Sequence, residues 1–174
     1  MARPKIIPTG IEIDWNDDDI IVSKTDLKGR ITYANEVFVR LAKFSSAELI
    51  GQPHNIIRHP DMPRCVFKLL WDTLEQKKEI FAYVINMAKN GDHYWVFAHV
   101  TPSFDQNGNV VSYHSNRRKP KSDQVSKIKA LYSVLKTEED KYDSPKEGMQ
   151  AATNLLLKIL QEKGLSYEEF ILSV

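Results

Sequence analysis

Three prolines within thirteen residues constrain this chain more than any other feature. They fall in Gly51-Gln52-Pro53-His54-Asn55-Ile56-Ile57-Arg58-His59-Pro60-Asp61-Met62-Pro63. Each proline fixes φ, lacks an N–H and biases the residue before it away from helix, so the stretch forms neither a regular helix nor a central strand. It carries two histidines, an arginine and an aspartate, and it lies between two helical patterns. Two readings follow. A rigid loop with donor-rich side chains suits the holding of a ligand. The same loop also serves as a stiff connector in which Arg58 and Asp61 pair with each other.

The 174 residues provide for one domain with extensions and a sizeable core. Lys and Arg number 24 against 23 Asp and Glu, for a net charge of +1. Acids and bases are intermixed through most of the chain, so no basic field points to nucleic acid. Cys65 stands alone, which excludes a disulfide framework. Met1 to Pro8 is too short and too proline-broken for a signal peptide. No apolar run approaches the roughly twenty residues of a membrane span, so direct membrane insertion is not expected. The expected location is the cytoplasm.

The order of elements follows from local patterns. Residues 1–18 read as an N-terminal cap, irregular or briefly helical, with Ile11, Ile13 and Trp15 alternating. Ile20–Thr25 and Ile31–Ala34 are β-branched strands joined at Asp26-Leu27-Lys28-Gly29-Arg30. Asn35 sits at a helix N-cap position before Phe38, Leu41 and Ala42. Ser45-Ser46-Ala47-Glu48 is a capping box for a short helix that ends at Gly51. After the proline-rich loop, Cys65, Phe67, Leu69, Leu70, Trp71 and Leu74 form a longer helix, with Trp71 expected in the core. Three strands follow, over 80–87, 93–101 and 110–116, joined by hairpins at Asn90-Gly91 and Asp105–Asn109. This order predicts an α+β domain over 19–120: a five-stranded antiparallel sheet with short helices on one face and a small-molecule pocket between. Residues 121–174 read as an all-helical tail with stripes at Val125-Ile128-Leu131-Leu135 and Met149-Ala152-Leu155-Leu156-Ile159. The stripes can pack within the chain or serve output, docking or dimerisation.

With these elements in place, residues 20–118 resemble a PAS domain, and more narrowly the sensor domain of aerotaxis receptors. The matching segments are Thr25–Asn35, Gly51 through Pro63, and Lys89-Asn90-Gly91-Asp92-His93-Tyr94-Trp95-Val96. The resemblance implies a five-stranded PAS fold and a non-covalently bound FAD read for its redox state. It places Asn35, Arg58, His59, Asp61, Phe67 and Asn86 at positions that contact or support the flavin. Arg58 and His59 offer donors for pyrophosphate or ring oxygens, and Asp61 can orient either one. Phe67 supplies apolar wall, while Asn35 and Asn86 carry amides that match acceptors and donors on an isoalloxazine edge.

The chain departs from that subgroup in two places. Ile80 stands where it usually has tryptophan, and Met87 and Ala88 stand where basic residues are common. Haem b is therefore an alternative cofactor, with His54 or His59 as axial ligand, and a cofactor-free interaction module is another. No phosphate loop, His-Glu-x-x-His or cysteine pair argues for an enzyme. A membrane anchor and a methyl-accepting signalling helix are not found. The resemblance then implies a freestanding energy-taxis sensor whose partner is a separate membrane-bound, methyl-accepting chemotaxis-type transducer, with a homodimer also possible.

Overall fold

The computed structural model describes residues 5–174; the first four residues of the N-terminal cap lie outside it. Five strands form one sheet: β1 (Ile21–Thr25), β2 (Ile31–Ala34), β3 (Ile80–Met87), β4 (His93–Phe104) and β5 (Val110–Arg118). Their order is β2-β1-β5-β4-β3, and every neighbouring pair is antiparallel. The last strand thus lies at the centre, between β1 and β4. Strands β4 and β5 run further than the sequence patterns indicate. Pro102 is tolerated inside β4 because β3 ends opposite Val100, which leaves that side of β4 without a strand partner.

Between β2 and β3 come α1 (Glu36–Ala42), α2 (Ser46–Leu49), a 3₁₀ turn over His54–Ile57, and α3 (Arg64–Glu75). The Ser45 hydroxyl and the Glu48 carboxylate form the expected capping box for α2. Asn35 caps α1 by accepting the Phe38 N–H at 3.0 Å. These helices bury Phe38, Leu41, Leu49, Cys65, Val66, Leu70 and Leu74 against one face of the sheet.

The proline-rich segment spans that face and is pinned at both ends. Gly51 N–H donates to Ile31 O at 2.7 Å, Ile31 N–H to Gln52 O at 2.8 Å, and His54 N–H to Gly29 O at 2.9 Å. At the far end Arg58 forms a bridge to Asn86 of β3. The loop is therefore rigid without a regular element of its own beyond one 3₁₀ turn.

Residues 5–18 are irregular, as one of the two readings of the cap has it, with a bridge at Glu12 and a turn at Asp17 and Asp18. Ile13 N–H donates to His93 O at 2.7 Å and His93 N–H to Ile11 O at 2.9 Å, so the segment runs beside the start of β4 and buries Trp15. Gly91, at φ +93°, lets it pass: a Cβ there would lie 2.2 Å from Ile7 O.

The tail forms α4 (Ser122–Glu139), α5 (Pro145–Lys163) and α6 (Tyr167–Ser173). Its apolar stripes are covered in part within the chain, with Val125, Leu131, Met149, Leu155 and Ile159 only half-buried. Ile128, Tyr132 and Leu135 of α4, Ala152, Leu156 and Leu160 of α5 and Ile171 of α6 are all buried. The helices wrap the β3 edge, where the Tyr132 hydroxyl donates to Tyr83 O and the Tyr167 hydroxyl donates to Phe81 O. Carbonyls that an edge strand normally leaves open to pairing are thus occupied. Among the described residues no helix is long and apolar enough to cross a membrane.

Candidate functional site

The sheet and the helices α1 and α3 do not close completely. Between them lies a cavity of about 310 Å³. Strand alternation sets its floor, because residues two apart share a face. Ser23 and Thr25 come from β1, Val84 and Asn86 from β3, Ala98 and Val100 from β4, and Tyr113, Ser115 and Arg117 from β5. Phe67, Leu70, Trp71 and Leu74 line the opposite wall at helical spacing from α3. His54, Asn55, Ile57 and Arg58 of the proline-rich loop close one side, and the exposed Lys28 and Asn55 mark its mouth.

The walls are apolar and aromatic. Trp71 meets Tyr113 edge-on with centroids 5.5 Å apart. It is half-buried and faces the cavity, and so is not the core residue that its helical stripe suggests. Gly29, at φ +74°, sits under its ring, where a Cβ would come within 3.2 Å of it. The Arg58 guanidinium stands over the Phe67 ring, 4.5 Å from its centroid, and Arg58 Nη2 donates to Met62 O at 3.4 Å.

Polar groups on the floor are few and incompletely paired. Asn86 is 4 % exposed, and its Nδ2 has no hydrogen-bond partner among the described residues. Arg117 is 2 % exposed, and its Nε and Nη1 are likewise without partners. Arg117 Nη2 donates to Ser23 Oγ, and the guanidinium stacks over Phe38 at 4.5 Å. Ser23 Oγ also shares a 3.1 Å hydrogen bond with His54 Nε2, and the His54 ring stacks on Phe38 at 5.8 Å. Burial, and then the nearby Arg117 charge, push the His54 pKa down to about 3, so its ring is neutral near pH 7. Burial lowers Arg117 to about 10, which leaves it charged.

Buried donors without acceptors are uncommon, because each forfeits its hydration. Here they lie on one concave surface beside a void. That arrangement suits a flat ligand with apolar faces and a row of acceptors along one edge. Isoalloxazine has this form. A cavity of about 310 Å³ is of a size for such a ring system and too small for a whole dinucleotide.

Of the residues singled out in the sequence, Arg58, Phe67 and Asn86 meet at the cavity, as does His54. Asn35 stands outside the lining. Its Oδ1 accepts from Val22 N–H and Phe38 N–H, both at 3.0 Å, and its Nδ2 donates to Ile20 O at 2.8 Å, so the amide ties α1 to β1. His59 and Asp61 also lie elsewhere. His59 turns to a second cavity of about 500 Å³, lined by Lys5, Arg64, Lys136 and Glu139 among others. There His59 meets the His93 ring edge-on at 5.7 Å, and its Nδ1 accepts the Asp61 N–H at 3.1 Å. Burial holds the His59 pKa below its ordinary value, against the opposing Asp61 charge. The Asp61 carboxylate is 80 % exposed and 3.8 Å from that ring. The Asp61 backbone N–H, rather than its carboxylate, makes the hydrogen bond to the His59 ring.

Arg117, Ser23 and Tyr113 are among the lining residues that the sequence reading missed. A last strand ending at Asn116 leaves Arg117 outside the sheet. The available signal was period two: Tyr113, Ser115 and Arg117 continue one face of β5.

A family model described as the PAS fold matches residues 31–117. The chain belongs to the PAS family. It is 40 % identical over 119 residues to the aerotaxis receptor of Escherichia coli K12, a match covering 68 % of this chain and 23 % of that protein. It is 31 % identical over 99 residues to the nitrogen fixation regulatory protein of Klebsiella pneumoniae, covering 57 % and 20 %. The matched stretch thus spans about a fifth to a quarter of these relatives' own lengths. Among solved structures, the light state of the Aureochrome1 LOV domain superposes with a TM-score of 0.56 at 23 % identity, over 61 % of this chain and 85 % of that one. That likeness is one of fold.

Proposed function

We propose that this chain is a cytoplasmic redox sensor of the energy-taxis kind, which binds FAD in the concave-face cavity and passes its state to a separate membrane-bound, methyl-accepting transducer. The observation that carries the reading is the pairing of apolar walls with orphaned donors at Asn86 Nδ2 and Arg117. The similarity to an aerotaxis receptor supports the sensory role.

Each lining group then has a task. Asn86 donates to the acceptor edge of the ring. Phe67, Leu70 and Trp71 cover its face and exclude water. Arg58 lines the cavity from the proline-rich loop, where its guanidinium would meet a phosphate of the cofactor. A bound flavin supplies reversible electron uptake, a chemistry that no side chain here provides.

Haem b fits less well. His59 faces away from the cavity, and the Nε2 of His54 already bonds Ser23. The test is the visible spectrum of the purified protein, followed by chromatography of the cofactor released on heating. Flavin bands and released FAD are expected. A Soret band supports haem, and a colourless protein that takes up no FAD overturns the reading.

A further inference from the structure

We propose that Arg117 is the counter-cation of the cavity: it holds the negatively charged form of the ligand, and with a flavin bound it favours the reduced form over the oxidised one. The inference rests on the flavin reading above. The cavity carries an uncompensated charge. Arg117 is 2 % exposed, and no carboxylate among the described residues pairs with it. One hydroxyl and one aromatic ring accept part of its charge, while Nε and Nη1 face no acceptor. A buried cation is normally paired, and its desolvation is recovered only through a partner. Here the missing partner has a place to sit, since Arg117 lines the cavity.

The other cations of the lining stand apart from it: Lys28 is exposed at the mouth, and the Arg58 guanidinium lies over Phe67 on the proline-rich loop. His54 is neutral, and Asn86, Ser23, Thr25 and Ser115 carry no charge. Arg117 is held in place by its burial, by the bond from Nη2 to Ser23 Oγ and by stacking on Phe38, on a backbone registered against Ile21 of β1 and Ala98 of β4. A fixed positive charge in a low-dielectric cavity stabilises added negative charge strongly. Two electrons from a reductant and one proton from water convert a neutral oxidised isoalloxazine into a ring with one negative charge. Arg117 meets that charge in place, without reorganisation.

The reach of the effect is also set by the fold. Arg117 contacts Ser23 of β1 and Phe38 of α1, and both contact His54 of the proline-rich loop. A change in the pull on the guanidinium is therefore felt by three elements at once.

The experiment compares wild type, Arg117→Met and Arg117→Lys, each loaded with FAD and titrated potentiometrically with dithionite, together with melting of the flavin-depleted proteins. Arg117→Met should lower the midpoint potential and weaken binding of reduced relative to oxidised flavin by about tenfold or more. Arg117→Lys should restore much of the difference. Flavin-depleted Arg117→Met should melt no lower than wild type, because a charge without its counter-ion is removed. Two results overturn the inference alone: flavin uptake with an unchanged midpoint in Arg117→Met, or a flavin-depleted Arg117→Met that fails to fold while Arg117→Lys folds, which makes the residue structural. A wild-type protein that takes up no flavin overturns the flavin reading and this inference with it.

Discussion

Asn86 and Arg58 are neighbours through a backbone bridge, yet their side chains do different things. Asn86 leaves a buried donor unused, and such a group costs about 1–3 kcal/mol. Asn86→Leu should therefore leave the flavin-depleted protein as stable as wild type, or more so, and weaken flavin binding. Thermal melting with a FAD titration checks both halves. His54 gives the pH counterpart. Its folded pKa is depressed from 6.5 to about 3, so below pH 6.5 the unfolded chain binds a proton that the folded chain does not. Unfolding then takes up a proton, and stability falls as pH falls from 6.5 toward 3. His54→Gln should remove that share of the loss, about 1.4 kcal/mol for each pH unit below 6.5. Urea titrations of both proteins at pH 7 and pH 5 measure it, and parallel losses in the two would contradict it. Cys65 runs the other way: burial, reinforced by the Glu139 carboxylate, raises its thiol from 9.0 to about 12. Folding keeps that proton, so this contribution is lost as pH rises above 9, and the native thiol should resist alkylation at pH 8.

The elements show how much of the site could be read in advance. Hairpin signals at Asn90-Gly91 and Asp105–Asn109, and the capping boxes, are local, and the strands they delimit were legible. Phe67 and Asn86 were reached through the family resemblance, and they lie on α3 and β3, regular elements that turn both toward the cavity. His59 and Asp61 lie on no such element. They follow a 3₁₀ turn in a proline-bound loop, where successive side chains take opposite sides without any period to announce it. Arg117 was hidden for a different reason, since a polar residue at a strand end looks like the start of solvent. The tail is a further case. Its stripes are as apolar as an interface, and only the fold shows that they cover the β3 edge. Pro63 precedes α3 and offers no side-chain cap, and Glu139 of α4 fills the gap by accepting Cys65 N–H at 2.9 Å. Glu139→Ala should cost about 1–3 kcal/mol by orphaning that donor. Truncation after Pro120 should lower the melting temperature sharply or cause aggregation through the exposed β3 edge. A truncated chain that melts like the full protein would show that the tail is only docked.

For the whole molecule, the cavity and the tail share β3. Asn86 faces the cavity, and on the same strand Phe81 and Tyr83 offer carbonyls to tail tyrosines. A ligand whose bonding to Asn86 changes with its charge has a short mechanical path to the outer helices. Differential contacts in two states are what such coupling requires. All of it depends on a flavin ring lying between α3 and the sheet. The most direct measurement is the flavin content of purified wild type beside Ala98→Leu, which places a larger side chain into the cavity floor from β4. The account predicts FAD retained near one per chain in wild type, and a folded, colourless Ala98→Leu protein. Equal flavin content in the two would contradict it.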